Sequence, residues 1–227
     1  MTRSLPQRAP RRSRGRAEAG PAEESAGDRR MGRPPLRADP RADILAAAAR
    51  LFAERGYGDS SLNDVAAAMG YSKGALYNYF SSKQEIYDAI IIDTLRGLCQ
   101  ATADAVDPAS PAADRLRQYM MGHARFLGDN FDAFVTMLVG FSGMADAALK
   151  ADALALRDAH ESQLRAIIAG GVADGAFRPT EAAMVGRAVL SLLSWMARWF
   201  RPDGPKRAED IAADYCDLLL GGLLVRD

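Results

Sequence analysis

YSKGALYNYFSSK, Tyr71 to Lys83, is the stretch on which the reading of this chain turns. It crowds Tyr71, Tyr77, Tyr79, Phe80, Lys73 and Lys83 together with small residues, although aromatics make up only 7% of the chain. Just upstream, SLNDVAAAMG starts on Ser61, carries Asp64 three positions later as a capping-box partner, and closes on Gly70. Ser72 then opens SKGALYNYF as a second N-cap. Two helices of roughly nine and seven residues are too short to be stable alone. Their apolar positions, Leu62, Val65, Ala66, Met69, Tyr71, Leu76 and Tyr79, fit a helix-turn-helix with Ala66 at the crossing and Gly70 in the turn.

The same period extends in both directions. RADILAAAARLFAERG places Ile44, Leu45, Ala48, Leu51 and Phe52 on one face and stops at Gly56. Ser82, with Glu85 as a second capping box, opens a long helix that Pro108 and Pro111 end. Further helices are expected over 112–128, 131–142, 146–174, 181–200 and 208–224, and no period-two alternation interrupts them. The expected fold is all-α, with about nine helices. Its expected parts are a basic arm (1–38), a three-helix domain with the helix-turn-helix (39–88), and a helical ligand-binding and dimerisation bundle (89–227).

The formal net charge of zero hides an asymmetry. Residues 1–38 hold ten Arg and no Lys against four acids, which leaves 19 basic and 25 acidic residues in the rest. A basic arm on an acidic body is the pattern of a chain that meets a polyanion at one end. The arm's composition cannot cover its own ordering entropy, so it is expected to be disordered in isolation. Within it, Gly32-Arg33-Pro34 is the core of an AT-hook-like element that would lay Arg33 in a narrow minor groove, although Met31 stands where such elements carry Arg. The alternative is a solvated basic linker. Either way the arm adds salt-sensitive affinity.

Cys99 and Cys216 have no CxxC or His partner, so neither a disulfide nor a metal site is expected, and no cofactor is implied. No secretory h-region and no span-length apolar run is seen, which makes the cytoplasm the expected compartment and a membrane role unexpected.

A helix-turn-helix puts its second helix into the DNA major groove, N-terminal end first. The candidate DNA contacts are therefore Ser72, Lys73, Gly74, Tyr77 and Asn78, with Tyr79 beside them. Lys83 and the free N–H groups of its helix would grip a phosphate, and Ser60 and Ser61 would do the same at the first helix of the pair.

Taken with its flanks, ILAAAARLFAERGYGDSSLNDVAAAMGYSKGALYNYFSSKQEIYDAI resembles the N-terminal domain of the tetracycline-repressor (TetR) family over Ile44 to Ile90. The pieces GY, DVA, SKGALY.YF and SK.E occur in the family's order and spacing, and Ser60-Ser61 stand where Thr is commoner. The resemblance implies an all-α homodimer on a palindromic double-stranded operator. It also implies DNA contacts at Lys73, Gly74, Tyr77, Tyr79 and Lys83.

From about residue 91 Met, Phe and Trp are scattered through an apolar background. Cys99, Thr102, Met120, His123, Phe126, Phe134, Met137, Phe141, Trp195 and Trp199 are candidates to line a cavity between helices, with Arg157 for an anionic group, against the alternative of ordinary core. Leu192, Ile211, Tyr215, Leu218, Leu219 and Gly222 form stripes on the last two helices, and the resemblance implies that these helices make the dimer interface. AVLSLLSWMARWFRPDGPKRAEDIAADYCDLLLGGL resembles the tail of a subgroup that represses fatty-acid and steroid catabolism, which implies release by an acyl-CoA thioester. Three rivals stay open. A multidrug-efflux repressor sensing lipophilic cations would need carboxylates such as Asp158 or Glu161 in the cavity. A helical-bundle enzyme would need a catalytic constellation that His123 and His160 do not supply. A DNA-architectural protein would use the arm without sequence preference.

Overall fold

Asp39 caps the first helix by accepting the Ala42 N–H, Pro40 takes the first helical position where its missing N–H costs nothing, and α1 runs Pro40–Arg55. The computed structural model describes residues 39–223; the basic arm, with Arg33, lies outside them. Then follow α2 (Leu62–Met69), α3 (Lys73–Tyr77), α4 (Lys83–Ala105), α5 (Ala112–Asp129), α6 (Phe131–Gly140), α7 (Ala147–Ala173), α8 (Ala182–Trp195) and α9 (Ala208–Leu223). Single 3-10 turns at Phe141–Gly143 and Met196–Arg198 extend α6 and α8. The described residues are thus all helix and loop, and the fold is all-α.

The short helices form where local chemistry specifies them. Ser61 Oγ accepts the Asp64 N–H while the Asp64 carboxylate accepts the Ser61 N–H, a complete capping box; the Ser61 hydroxyl, which also donates to that carboxylate, and then the Ser61 N–H hold the Asp64 carboxyl below its ordinary range. Gly70 ends α2 at φ 68°, a left-handed conformation that a side chain would strain. Ser72 Oγ accepts the Ala75 N–H to start α3. At α4 the expected box is altered. Ser82 Oγ accepts the Glu85 N–H, but the Glu85 carboxylate reaches one residue further, to the Ser81 N–H and hydroxyl.

Ile44, Ala48, Val65, Leu76, Phe80 and Ile86 are buried together and weld α1–α3 to the start of α4. At 23 residues, α4 is about 34 Å long and continues past residue 88 into the bundle. There it packs against α5, α6 and α7, while α5 packs on α9 and α7 on α8. A further long-range junction is α1 against α6, where Thr136 donates to the Ala49 carbonyl. Gly140 at the end of α6 permits a close approach: a Cβ there would strike the ring of Tyr87. Tyr87 in turn stacks with Tyr57 and meets Phe52 edge-on.

Candidate functional site

The helix-turn-helix presents a coherent outer face. Lys73, Gly74, Tyr77, Asn78 and Tyr79 are all exposed, and the two tyrosines keep 45% and 44% of their surface open although both are large and aromatic. Leu76 and Phe80, one helical step away, are buried and anchor α3 from behind. The Lys73 ammonium lies 5.6 Å from the Tyr77 ring centroid, so charge and ring occupy one patch. A Cβ on Gly74 would meet nothing within 4 Å, leaving the backbone open to approach. Ser72 and Ser61 stand exposed at the two helix starts, their hydroxyls engaged as caps.

Two expected phosphate ligands are placed differently. Ser60 is only 4% exposed, and its hydroxyl donates to the Gly56 carbonyl, closing the turn after α1. The Lys83 ammonium turns inward. It donates to the carbonyls of Tyr57 (2.7 Å) and Ser60 (2.8 Å) and sits 4.0 Å from the Tyr57 ring centroid. Those carbonyls lie in the loop between α1 and α2 and have no helical partner, so a cation at the start of α4 is drawn to them. Lys83 thereby clamps the helix-turn-helix onto α4.

The bundle holds a partly open cavity of about 440 Å³, with the exposed Leu138 and Val139 in its wall. Five of the expected lining residues are there: His123, Phe134, Met137, Phe141 and Arg157. The rest of the wall is Leu95 and Leu98 of α4, Leu138, Val139 and Ser142, Asp158, His160 and Glu161 of α7, and Leu190 and Ser194 of α8. The Arg157 guanidinium lies 4.6 Å from the centroid of the Phe141 ring. Glu161 is 3.8 Å from Arg165, so its charge is partly offset.

The other six expected lining residues lie elsewhere. Met120 is wholly buried core, and Phe126 packs over Gly97. Cys99 donates its thiol to the Leu156 carbonyl. Thr102 stands behind the wall, its hydroxyl donating back to the Leu98 carbonyl and touching His160 Nδ1 at 3.3 Å. Trp195 and Trp199 point out of the bundle, Trp195 with 64% of its surface exposed. Among the stripe residues, Leu218 and Gly222 are exposed and Leu192, Tyr215 and Leu219 half-buried, but Ile211 is 6% exposed and belongs to the protomer's own core.

What the pattern of residues did not foretell is a polar cluster at the cavity. His160 Nε2 lies 2.8 Å from Tyr119 Oη and 3.2 Å from His123 Nδ1, and the Tyr119 hydroxyl also reaches the His160 carbonyl at 3.0 Å. Burial drives His123 well below its ordinary pKa, aided by the nearby His160, and drives His160 to about 4. Burial raises the Tyr119 phenol. All three are neutral near pH 7. Tyr119 and His123 stand 41 and 37 positions before His160 in the chain, and no local signal joins them. Among the described residues no group of three or more His, Cys, Asp and Glu is arranged to hold a metal, and no helix is long and apolar enough to cross a membrane.

The geometry is that of a helix-turn-helix reader joined to a ligand-sized chamber. Residues 44–90 match the family model of bacterial regulatory proteins of the tetR family, and residues 109–223 match a tetracyclin repressor-like C-terminal domain. The chain belongs to the TetR family of transcriptional regulators. It is 27% identical to the transcriptional repressor KstR2 of Mycolicibacterium smegmatis over 185 residues, covering 81% of this chain and 90% of the relative. The crystal structure of the TetR-family regulator PfmR from Thermus thermophilus superposes with a TM-score of 0.74 at 48% identity, covering 78% of this chain and 97% of that one. Apo AibR matches at 26% identity and a TM-score of 0.66, covering 81% and 97%. AibR with isovaleryl coenzyme A and operator DNA shares the fold, at 23% identity and a TM-score of 0.68 over the same shares.

Proposed function

We propose that the chain is a homodimeric repressor that binds a palindromic operator through α3 and is released by an acyl-CoA thioester in the bundle cavity, acting in the cytoplasm and not as an enzyme. The observation that carries the reading is a continuous polar link from the cavity wall to the helix-turn-helix. Phe141 and Ser142 line the cavity, and the next carbonyl, that of Gly143, accepts the Gln84 side-chain N–H at 3.2 Å. The other end of the Gln84 amide accepts the Tyr57 hydroxyl, and the Tyr57 carbonyl is one of the two that Lys83 clamps. A ligand that displaces Phe141 therefore pulls on the loop that sets the angle of α2 and α3. Release follows if the ligand binds the displaced state more tightly than the DNA-competent one.

Lys73, Gly74, Tyr77, Asn78 and Tyr79 are the proposed DNA contacts, with the Ser61 and Ser72 helix starts beside them. Met184, Trp195, Trp199 and Leu218 leave large apolar areas exposed on α8, its 3-10 extension and α9, and a second copy would cover them. KstR2, named as a repressor, and AibR, solved with isovaleryl coenzyme A, support the repressor and thioester readings. About 440 Å³ suits an acyl chain, with the nucleotide end left outside near Arg157.

A second reading rests on Asp158 and Glu161, two carboxylates on the wall that suit a lipophilic cation. One experiment separates the two: binding of the protein to DNA flanking its own gene, with octanoyl-CoA or a lipophilic quaternary ammonium added. Release by the thioester alone supports the first reading, and release by the cation alone replaces it with the second. No specific binding to that DNA, with or without additive, would overturn the operator assignment.

A further inference from the structure

His123 is 2% exposed, lines the cavity, and has a ring nitrogen, Nε2, with no hydrogen-bond partner. Among the described residues only Arg115 Nε shares that condition, and Arg115 is not part of the cavity wall. A buried polar atom left without a partner costs free energy unless something that binds there supplies one. The neighbouring distances decide whether this atom donates or accepts.

With its proton on Nε2, His160 donates to Tyr119 Oη (2.8 Å) and to His123 Nδ1 (3.2 Å). The Tyr119 hydroxyl is then free to donate to the His160 carbonyl at 3.0 Å. The fourth contact of the ring, Thr102 Oγ1 at 3.3 Å from His160 Nδ1, is matched when the Thr102 hydroxyl turns from the Leu98 carbonyl to donate to that nitrogen, and every close pair then joins a donor to an acceptor. The opposite tautomer either aims two donors, Tyr119 O–H and His123 Nδ1–H, at a single His160 lone pair or, with the Tyr119 hydroxyl turned to the His160 carbonyl, sets two acceptors, Tyr119 Oη and His160 Nε2, 2.8 Å apart. In the matched arrangement His123 Nδ1 is an acceptor, so its one proton sits on Nε2, the unpartnered nitrogen of a residue that lines the cavity.

We propose that His123 Nε2–H donates to an uncharged carbonyl oxygen of the effector, with His160 and Tyr119 as positioning residues that hold the imidazole in the donating tautomer. Resting on the effector cavity proposed above, this narrows the ligand to an apolar molecule with a ketone or thioester carbonyl. Leu95, Leu98, Phe134, Met137 and Leu190 supply the apolar surroundings. A carboxylate is disfavoured there, because a neutral imidazole offers no charge to balance it.

The test compares ligands that differ by the carbonyl alone. Octanoyl-CoA is measured against its S-octyl thioether by calorimetry, and 2-decanone against 1-decene by displacement of a bound apolar dye. The proteins are the full chain and the variants His123→Leu, His123→Gln and Tyr119→Phe, each first checked for thermal unfolding and helical content. Wild type should prefer the carbonyl member by about tenfold or more. His123→Leu should lose the preference, His123→Gln should keep part of it because its amide donates, and Tyr119→Phe should reduce it. A preference that survives in His123→Leu overturns the proposal, as does a wild type that binds both members of a pair equally. A ketone preference that needs His123, without binding of either CoA compound, upholds the carbonyl site and removes the thioester reading. Binding of no member of either pair overturns both.

Discussion

The helix-turn-helix and the cavity bundle are built from the same kind of element and are governed by different forces. In the head, α2 and α3 are eight and five residues long, and almost every feature follows from a neighbour in sequence: the Ser61–Asp64 box, the Gly70 turn, the Ser72 cap, the inward Leu76 and Phe80. In the bundle, helices of up to 27 residues bring together side chains from distant positions, and the wall is settled by which faces happen to meet. The difference teaches where single residues act alone and where they act through a packed neighbour. An exposed head residue such as Tyr77 can be removed without touching the fold, whereas a bundle residue such as His160 carries function and stability together.

The largest expected effect falls on assembly. Trp195→Arg replaces an exposed aromatic with a second charge beside Arg198, and dimer association should weaken by about 2–4 kcal/mol, read by sedimentation, with operator binding lost in parallel. A fully dimeric variant would move the interface elsewhere. The second effect belongs to the bundle. His160 has a folded pKa of about 4 against an ordinary 6.5, so the unfolded chain takes up the proton first as pH falls. Stability from its burial is complete above about pH 6.5 and is lost progressively down to about pH 4, on the order of 3 kcal/mol, with His123 adding in the same direction. Urea unfolding across that range should show the loss, and a flat profile would mean that water reaches the pair.

In the head, Tyr77→Ala should weaken operator binding by roughly 10- to 100-fold and leave the unfolding midpoint unchanged. Lys83→Met should break that clean separation. It strands the Ser60 carbonyl and leaves the Tyr57 carbonyl only a long bond from the Ser60 N–H, costs about 1–3 kcal/mol of stability, and lowers DNA affinity through the displaced loop. Wild-type stability in Lys83→Met would return the ammonium to the phosphate-gripping role expected of it. The smallest effect is predicted at the junction. Gln84→Leu should change DNA affinity by only a few-fold but blunt release by effector, a coupling of about 1–3 kcal/mol at most. Undiminished release would place the coupling in the α1–α6 contact instead.

The helix-turn-helix was legible because caps and glycines act over three or four positions. Ser61, Asp64, Gly70 and Ser72 hold the capping and turn roles that their local pattern predicts, and the two residues that depart from the pattern, Ser60 and Lys83, are those whose side chain chose a partner more than twenty residues away or bonded back into its own turn. In the bundle an apolar residue at helical spacing points inward, but spacing cannot say toward what. Trp195 and Trp199 were as good candidates for the wall as Phe134 and Met137, and only packing turned them outward.

By itself, then, the sequence determined the helices, their ends, the turn between α2 and α3 and the aromatic face they display, because backbone hydrogen bonds and caps are satisfied locally. Tertiary structure alone decided that Lys83 is a clamp, that Gln84 ties the cavity wall to the head, and that Tyr119, His123 and His160 share one hydrogen-bonded cluster. Burial removes water from those groups, and once water is gone each must find its partner among whatever the packing brings within about 3 Å.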